Sequence, residues 1–390
     1  MILMKKLCIV TATRAEYGLL RPLIKRLRKE SDIDLRLAVT GAHLSPEFGM
    51  TVHEIESDHV PIDRKIEMLL SADTPSAITK SMALALTGFA DYFAESRPDA
   101  LMVLGDRYEM LAVCIAALNA RIPIFHIHGG EVTEGAIDDS IRHAITKMSL
   151  LHFTSTEVYR QRVIQMGESP DRVFCVGSLG VENALHEKTI TKKKLEEFLE
   201  WKLGKTYAVL TFHPVTMEKN TAKKQIHTLL DAVSTFPEIR FLVTKANADT
   251  GGRAINEALE NYAATHDHLR LYDSLGVKNY LSAVKHAAFV IGNSSSGIYE
   301  APAFGVQAIN IGDRQKGRIQ GKNIIDCKMR KTDIVHAVRE AIRKKPGKPD
   351  YMYGRGDTSS MITEVVLKQI QQSVNHKSFY DLPAGKGCVV

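Results

Sequence analysis

What most constrains this chain is a sustained alternation of short apolar runs with longer amphipathic stretches. Residues 6–13, 35–40, 101–104, 122–125, 150–154 and 173–176 are apolar runs of strand length, and helix-length segments separate most of them. Apolar runs joined by crossover helices predict a parallel, doubly wound sheet with both faces covered. Around residue 183 the pattern breaks into the charged stretch NALHEKTITKKK. It then restarts, with strands expected at 207–212, 240–244, 269–272, 288–291 and 308–311. A chain of 390 residues exceeds one ordinary core. Two Rossmann-like α/β domains are therefore expected, residues 1–182 and 183–358, with a last helix over 359–375 crossing back onto the first.

In open α/β sheets the carboxyl ends of the strands line the ligand crevice. Leu101–Leu104 stops at Gly105-Asp106-Arg107, and Ile122–Phe125 stops at His126-Ile127-His128-Gly129-Gly130-Glu131. Asp106 and Glu131 each follow an apolar strand and a glycine, which makes them acid–base candidates. The next helix carries Asp138, Asp139, Arg142 and His143. Asp138/Arg142 and Asp139/His143 are spaced i, i+4, so they also fit ordinary helix ion pairs worth roughly 0.2–0.5 kcal/mol. Asp138 also fits a residue that favours a helix N-terminus. Arg14 sits at the turn from the first strand into its helix, where a guanidinium and free N–H groups can meet a phosphate. His43 ends the second strand, and His213 ends the first strand of the second half in Phe-His-Pro. Asn247 lies in a polar strand-end loop, TKANADTGG.

The sharpest motif is IGNSSSGIYEAP, residues 291–302. A strand runs into a small, hydroxyl-rich turn and then a helix, an arrangement that binds phosphate through free N–H groups and hydroxyls. Ser294 and Ser295 are the phosphate candidates, and Glu300 can accept from a ribose hydroxyl pair. A plain N-cap would need only one of the three serines. GDRQKGR, residues 312–318, then places Arg314 and two further cations in one loop, which suits a nucleotide diphosphate. No Walker loop or G-x-G-x-x-G is present, so a dinucleotide is not indicated.

Five scattered cysteines, Cys8, Cys114, Cys175, Cys327 and Cys388, form no C-x-x-C pair. They predict reduced thiols in a cytoplasmic protein, with no zinc site or disulfide framework. The net charge of +6 comes without an aromatic-interleaved basic patch, so nucleic acid is not expected as a partner. No apolar run is long enough to span a bilayer, so no membrane partner is expected either.

Taken together, TATRAEYG, VTGAH, VLGDRYE, HIHGGE, DDSIRHAITKMS, VGSLGVENAL, FHP, NADTG, IGNSSSGIYE, INIGDRQKGR and FYDLP cover nearly the whole chain. In this order they resemble the hydrolysing UDP-N-acetylglucosamine 2-epimerases of bacterial sialic-acid pathways. The resemblance implies a GT-B arrangement, two Rossmann-like domains with the site in the cleft between them. It places UDP contacts on Arg14, His213, Asn247, Ser294, Ser295, Glu300 and Arg314. His213, facing the departing diphosphate, is counted with the catalytic set. Sugar-side and acid–base groups fall on His43, Asp106, Arg107, Glu131, Asp138, Arg142 and His143. Related epimerases carry a glutamate where this chain has His128, so either His128 or Glu131 takes that role.

The implied reaction removes the C2 proton while UDP leaves C1, and water then adds to the resulting glycal to give N-acetylmannosamine and UDP. It implies no cofactor and no metal, and a homodimer or homotetramer. Competing readings are epimerisation of a related sugar such as UDP-N,N'-diacetylbacillosamine, a GT-B glycosyltransferase, and a non-catalytic nucleotide-sugar sensor.

Overall fold

Two parallel sheets organise the computed structural model, which describes residues 4–218, 220–247, 249–344, 347–372 and 376–382. The first sheet contains β1 (Lys5–Thr11), β2 (Ile33–Thr40), β3 (Arg64–Ile66), β4 (Ala100–Leu104), β5 (Ile124–Ile127), β6 (Leu151–Thr154) and β7 (Val173–Cys175). Its order is β3-β2-β1-β4-β5-β6-β7. The second contains β8 (Tyr207–Thr211), β9 (Arg240–Thr244), β10 (Leu269–Tyr272), β11 (Phe289–Gly292), β12 (Gln307–Ile311) and β13 (Ile324–Cys327), in the order β10-β9-β8-β11-β12-β13.

Helices α1 (Arg14–Leu27), α2 (Val52–Ser57), α3 (Pro75–Ser96), α4 (Tyr108–Asn119), α5 (Asp138–Met148), α6 (Glu157–Gln165) and α7 (Leu179–His186) accompany the first sheet. Helices α8 (Lys192–Leu199), α9 (Ala222–Val233), α10 (Gly252–Ala263), α11 (Gly276–His286), α12 (Ser296–Ala303) and α13 (Lys331–Arg343) accompany the second, and α14 (Thr358–Gln369) follows. No described helix is long and apolar enough to cross a membrane.

The strand orders put the site where it is. In each sheet the winding direction reverses beside the first strand, between β1 and β4 and between β8 and β11. Such switch points open a crevice at the carboxyl edge. Leu104 pairs with Ile127, so Gly105–Arg107 and His128–Glu131 leave the sheet at one level. Gly292 pairs with Thr211, so Phe212-His213 and Asn293-Ser294 do the same on the other side. A Cβ on Gly292 would lie 1.9 Å from the Thr211 carbonyl oxygen, and its φ of 134° is left-handed territory, so only glycine fits there.

Helix α1 begins directly at Arg14, because Thr13 and Glu16 form a capping box. Strands β3 and β13 and helix α13 were not expected. Both strands are short, each lies at a sheet edge, and Arg64 and Lys65 of β3 are exposed, so no apolar pattern marks them. Helix α14 buries Ile362, Val366 and Ile370 in one cluster with Leu20, Leu23 and Leu27 of α1. Each burial contributes roughly 1.5–3 kcal/mol. Residues 373–375 of the expected last helix, and Cys388, lie outside the described residues. Cys8, Cys114, Cys175 and Cys327 are free thiols, the first two buried.

Candidate active site

The second sheet builds one wall of a cavity that α1 and α11 also line. After β11 the chain turns through Asn293 into α12. Asn293 donates from Nδ2 to the His213 carbonyl (2.8 Å) and accepts the His213 N–H at Oδ1 (2.7 Å), which ties the two strand ends together. Ser294, Ser295 and Ser296 line the cavity at the start of α12, and the Ser295 hydroxyl makes no capping bond. The free N–H groups of Ser294 and Ser295, with the serine hydroxyls, suit an anion, while the Ser296 N–H donates to Ser294 Oγ (3.4 Å). Arg14, His213, Asn247, Tyr280 and Glu300 line the same space. Three buried atoms there lack a protein partner, Nδ1 of His213, Oγ of Ser296 and Oε2 of Glu300. Buried polar atoms are normally paired, which marks these three as candidate ligand contacts. Burial raises the Glu300 carboxyl, and burial with Arg314 nearby lowers His213 to about 3, so its ring is neutral. Gly180 makes room for Glu300: a Cβ there would meet Oε1 at 2.6 Å.

The first sheet builds the opposing wall. Arg142 of α5 is fully buried and organises it. Its Nη2 bonds the Asp106 carboxylate and Thr133 Oγ1 (3.0 Å). Its Nη1 reaches Asp139 (3.0 Å) and the Glu131 carbonyl (2.8 Å). The expected Asp138/Arg142 pair is therefore not formed. Asp138 is the first residue of α5, and Arg142 turns instead to Asp139 and across to Asp106.

Among the described residues no cation is bound directly to Asp138. Burial, then the Asp106 and Asp249 charges, push its carboxyl up to about 6. Burial also acts on Asp106, but Arg142 and Arg318 outweigh it and hold that carboxyl below the usual range. Two neighbouring carboxyl groups are thus driven in opposite directions, one a proton acceptor and one a proton donor.

Glu131 and His128 lie behind this pair. Glu131 accepts from Tyr299 Oη (2.6 Å) and Ser155 Oγ (3.1 Å) and pairs with Arg318 (2.9 Å). His128 Nδ1 stands 3.5 Å away. Burial works against the Glu131 charge, but Arg318, His128 and Arg142 outweigh it and keep the carboxyl low. Asp106 and Asp138 act on each other through their charges, whereas Glu131 is engaged with Arg318 of the second domain. His128 adopts a left-handed φ of 69°, rare for a non-glycine residue and a form of strain found at functional sites.

The remaining expected residues are placed as follows. Arg107 pairs with Glu109 (3.0 Å) and with Asp249 of the second domain (3.1 Å). Arg14 donates to the Lys245 carbonyl (2.8 Å), and Arg314 to the Asn293 carbonyl (3.2 Å). His143 stands 3.5 Å from Asp139, with Nδ1 unpartnered. His43 is fully buried, and both ring nitrogens are taken by threonine hydroxyls, Thr11 (3.0 Å) and Thr51 (2.8 Å). Its contacts brace the first domain and leave no ring nitrogen for a ligand. Sequence reasoning did not single out Asp249, Tyr280, Tyr299 or Arg318. Asp249 and Arg318 sit in two loops flagged as polar and cationic, but nothing in the sequence marked which side chains turn inward.

Two doubly wound domains facing each other across a cleft lined by their strand ends define a GT-B fold. The crystal structure of UDP-GlcNAc 2-epimerase from Neisseria meningitidis bound to UDP-GlcNAc superposes with a TM-score of 0.78 at 18% identity, covering 93% of this chain and 100% of that one. The UDP-N-acetylglucosamine 2-epimerase family model matches residues 25–367, and the chain belongs to that family. It is 45% identical over 382 residues to the GDP/UDP-N,N'-diacetylbacillosamine 2-epimerase (hydrolyzing) of Campylobacter jejuni, covering 97% of this chain and 99% of the relative. It is 41% identical over 392 residues to the polysialic acid biosynthesis protein P7 of Escherichia coli, with coverages of 97% and 98%.

Proposed function

We propose that the protein is a hydrolysing UDP-N-acetylglucosamine 2-epimerase, converting UDP-N-acetylglucosamine and water to N-acetylmannosamine and UDP. The observation that carries this reading is the pair Asp106 and Asp138, half-buried neighbours at the carboxyl edge of the first sheet whose proton affinities are pushed in opposite directions. Residues 183–358 hold UDP in this reading, and residues 1–182 hold the sugar.

Ser294 and Ser295 with the N–H groups of α12 receive the diphosphate, together with Arg14, Arg314 and His213 Nδ1. Glu300 accepts from the ribose diol. Asp106, held ionised by Arg142, takes the C2 proton. The C–H electron pair becomes the C1–C2 double bond, and UDP leaves C1 with the C–O pair. Asp138, whose proton affinity its neighbours raise, returns a proton to C2 from the other face, which inverts that centre. Water adds at C1 and gives the free sugar.

A second reading, that the substrate is UDP-N,N'-diacetylbacillosamine, draws its support from the name of the Campylobacter relative. Incubation with each UDP-sugar in D2O, followed by mass spectrometry, tests both readings. Free 2-epimer carrying deuterium at C2, with UDP unlabelled when the water is 18O, supports the elimination route. Release of UDP without deuterium at C2 refutes it, and the better substrate decides between the two sugars.

A further inference from the structure

Resting on that reading, we propose that Asp249 is a further catalytic residue, the general base that activates water for addition to the glycal. The elimination and the return of a proton to C2 occupy the two carboxyl groups of the first domain. Water addition at C1 needs another acceptor on the diphosphate side, because C1 is the carbon that UDP leaves. Asp249 is placed for this. It lies in the loop between β9 and α10, on the UDP-holding domain, and Arg107 of the first domain meets its carboxylate at 3.1 Å.

Its charge is felt at both ends of the site, raising Asp138 on one side and acting on His213 on the other. Burial works against its own ionisation, but Arg107, Arg314 and His213 outweigh it and keep it a carboxylate.

The loop is also held by the opposite domain. Asp73 accepts from the backbone N–H of Gly251 (3.2 Å) and Arg253 (3.4 Å), and the Arg253 guanidinium pairs with Glu47. These contacts fix the loop that carries Asp249 against the first domain.

The step balances. Asp138 gives its proton to C2 of the glycal, and positive charge develops at C1 and the ring oxygen. A lone pair of water forms the C1–O bond, and a water proton passes to Asp249. Asp106 and Asp249 then lose their protons to solvent while Asp138 regains one. One net proton is released with the UDP trianion, as the overall hydrolysis requires.

The test uses Asp249→Asn in the full chain, with UDP-N-acetylglucosamine and, separately, synthetic 2-acetamidoglucal as substrates. Release of UDP should persist, while hydration of the supplied glycal falls by about 100-fold or more, the scale of general-base catalysis. Glycal, or a UDP-linked epimer formed by return of UDP, should replace the free sugar. A glycal hydration rate equal to that of the unmodified protein overturns the proposal. So does a parallel loss of UDP release, hydration and UDP affinity, which would mark a structural role. As a second variant, Asp249→Ala with added azide should regain glycal consumption and yield the glycosyl azide, because azide needs no base. No regain counts against the proposal. If the unmodified protein releases no UDP from either UDP-sugar, the reading of function fails, a result distinct from failure of the variants alone.

Discussion

Replacing Asp138 with asparagine should make the protein more stable at neutral pH while removing its turnover. The carboxyl is raised from 3.8 to about 6, first by burial and then by the charges of Asp106 and Asp249. The folded state therefore binds this proton more tightly than the unfolded chain does. Stability from the group is greatest below the unfolded value, near pH 4, and is lost as pH rises through about 6. At about 1.36 kcal/mol per pKa unit, the ceiling on the cost above pH 7 is about 3 kcal/mol. Asp138 lies partly open along the cleft, and water there screens the repulsion. We expect about 1–2 kcal/mol to remain.

Asparagine keeps the shape and removes the charge. Urea denaturation at pH 8 should show the Asp138→Asn protein more stable by that amount, and the difference should shrink as pH falls and nearly vanish only at about pH 3, below the unfolded value. The kcat of the variant should fall by about 100-fold or more. In the unmodified protein kcat/KM should decline as pH rises through about 6, because the donor form of Asp138 is being lost. An asparagine variant no more stable than its parent at pH 8 would refute the argument that charges crowd Asp138. A rate that rises through pH 6 would instead make Asp138 the proton acceptor.

Glu300→Ala should weaken UDP by roughly 1–3 kcal/mol, the scale for stranding a hydrogen-bonded partner, and unchanged affinity by calorimetry would remove Glu300 from the ribose site. Arg318→Met leaves buried Glu131 without its cation and should cost about 3–5 kcal/mol of stability, with Glu131→Gln in the same background recovering a large part. If the two changes prove additive in denaturant titrations, the pair is not coupled. Because Glu47, Asp73 and Arg253 hold the domains together, Arg253→Ala should shift the unliganded protein towards a more open form. An identical radius of gyration by small-angle scattering would count against that clasp.

Most of the fold was legible because parallel strands covered on both faces must be apolar throughout, and few other patterns repeat that signal along a chain. The edges escaped for the complementary reason. In Arg64-Lys65-Ile66 only the isoleucine is buried, so nothing in its composition distinguishes β3 from a loop. At the site, residues fixed by strand ends were readable and those fixed by a distant partner were not. Asp106 follows a buried strand, so its position at the carboxyl edge is set locally. Arg142 was expected to pair within its own helix, because i, i+4 spacing is all that a linear reading can supply. Its actual partner, Asp106, stands on a different strand.

The same limit explains Asp249. Its loop read only as polar, since the guanidinium that meets it belongs to Arg107 in the other domain. Of the three cations in the loop from Gly312 to Arg318, the buried Arg318 pairs with Glu131, while exposed Lys316 reaches Glu134 at the surface. In a two-domain enzyme each wall is written in its own strand ends, but the charge state of each wall is set by the residues opposite. Asp138 illustrates this most directly. Its carboxyl is raised partly by Asp249 across the cleft, so domain closure itself helps to make it a proton donor.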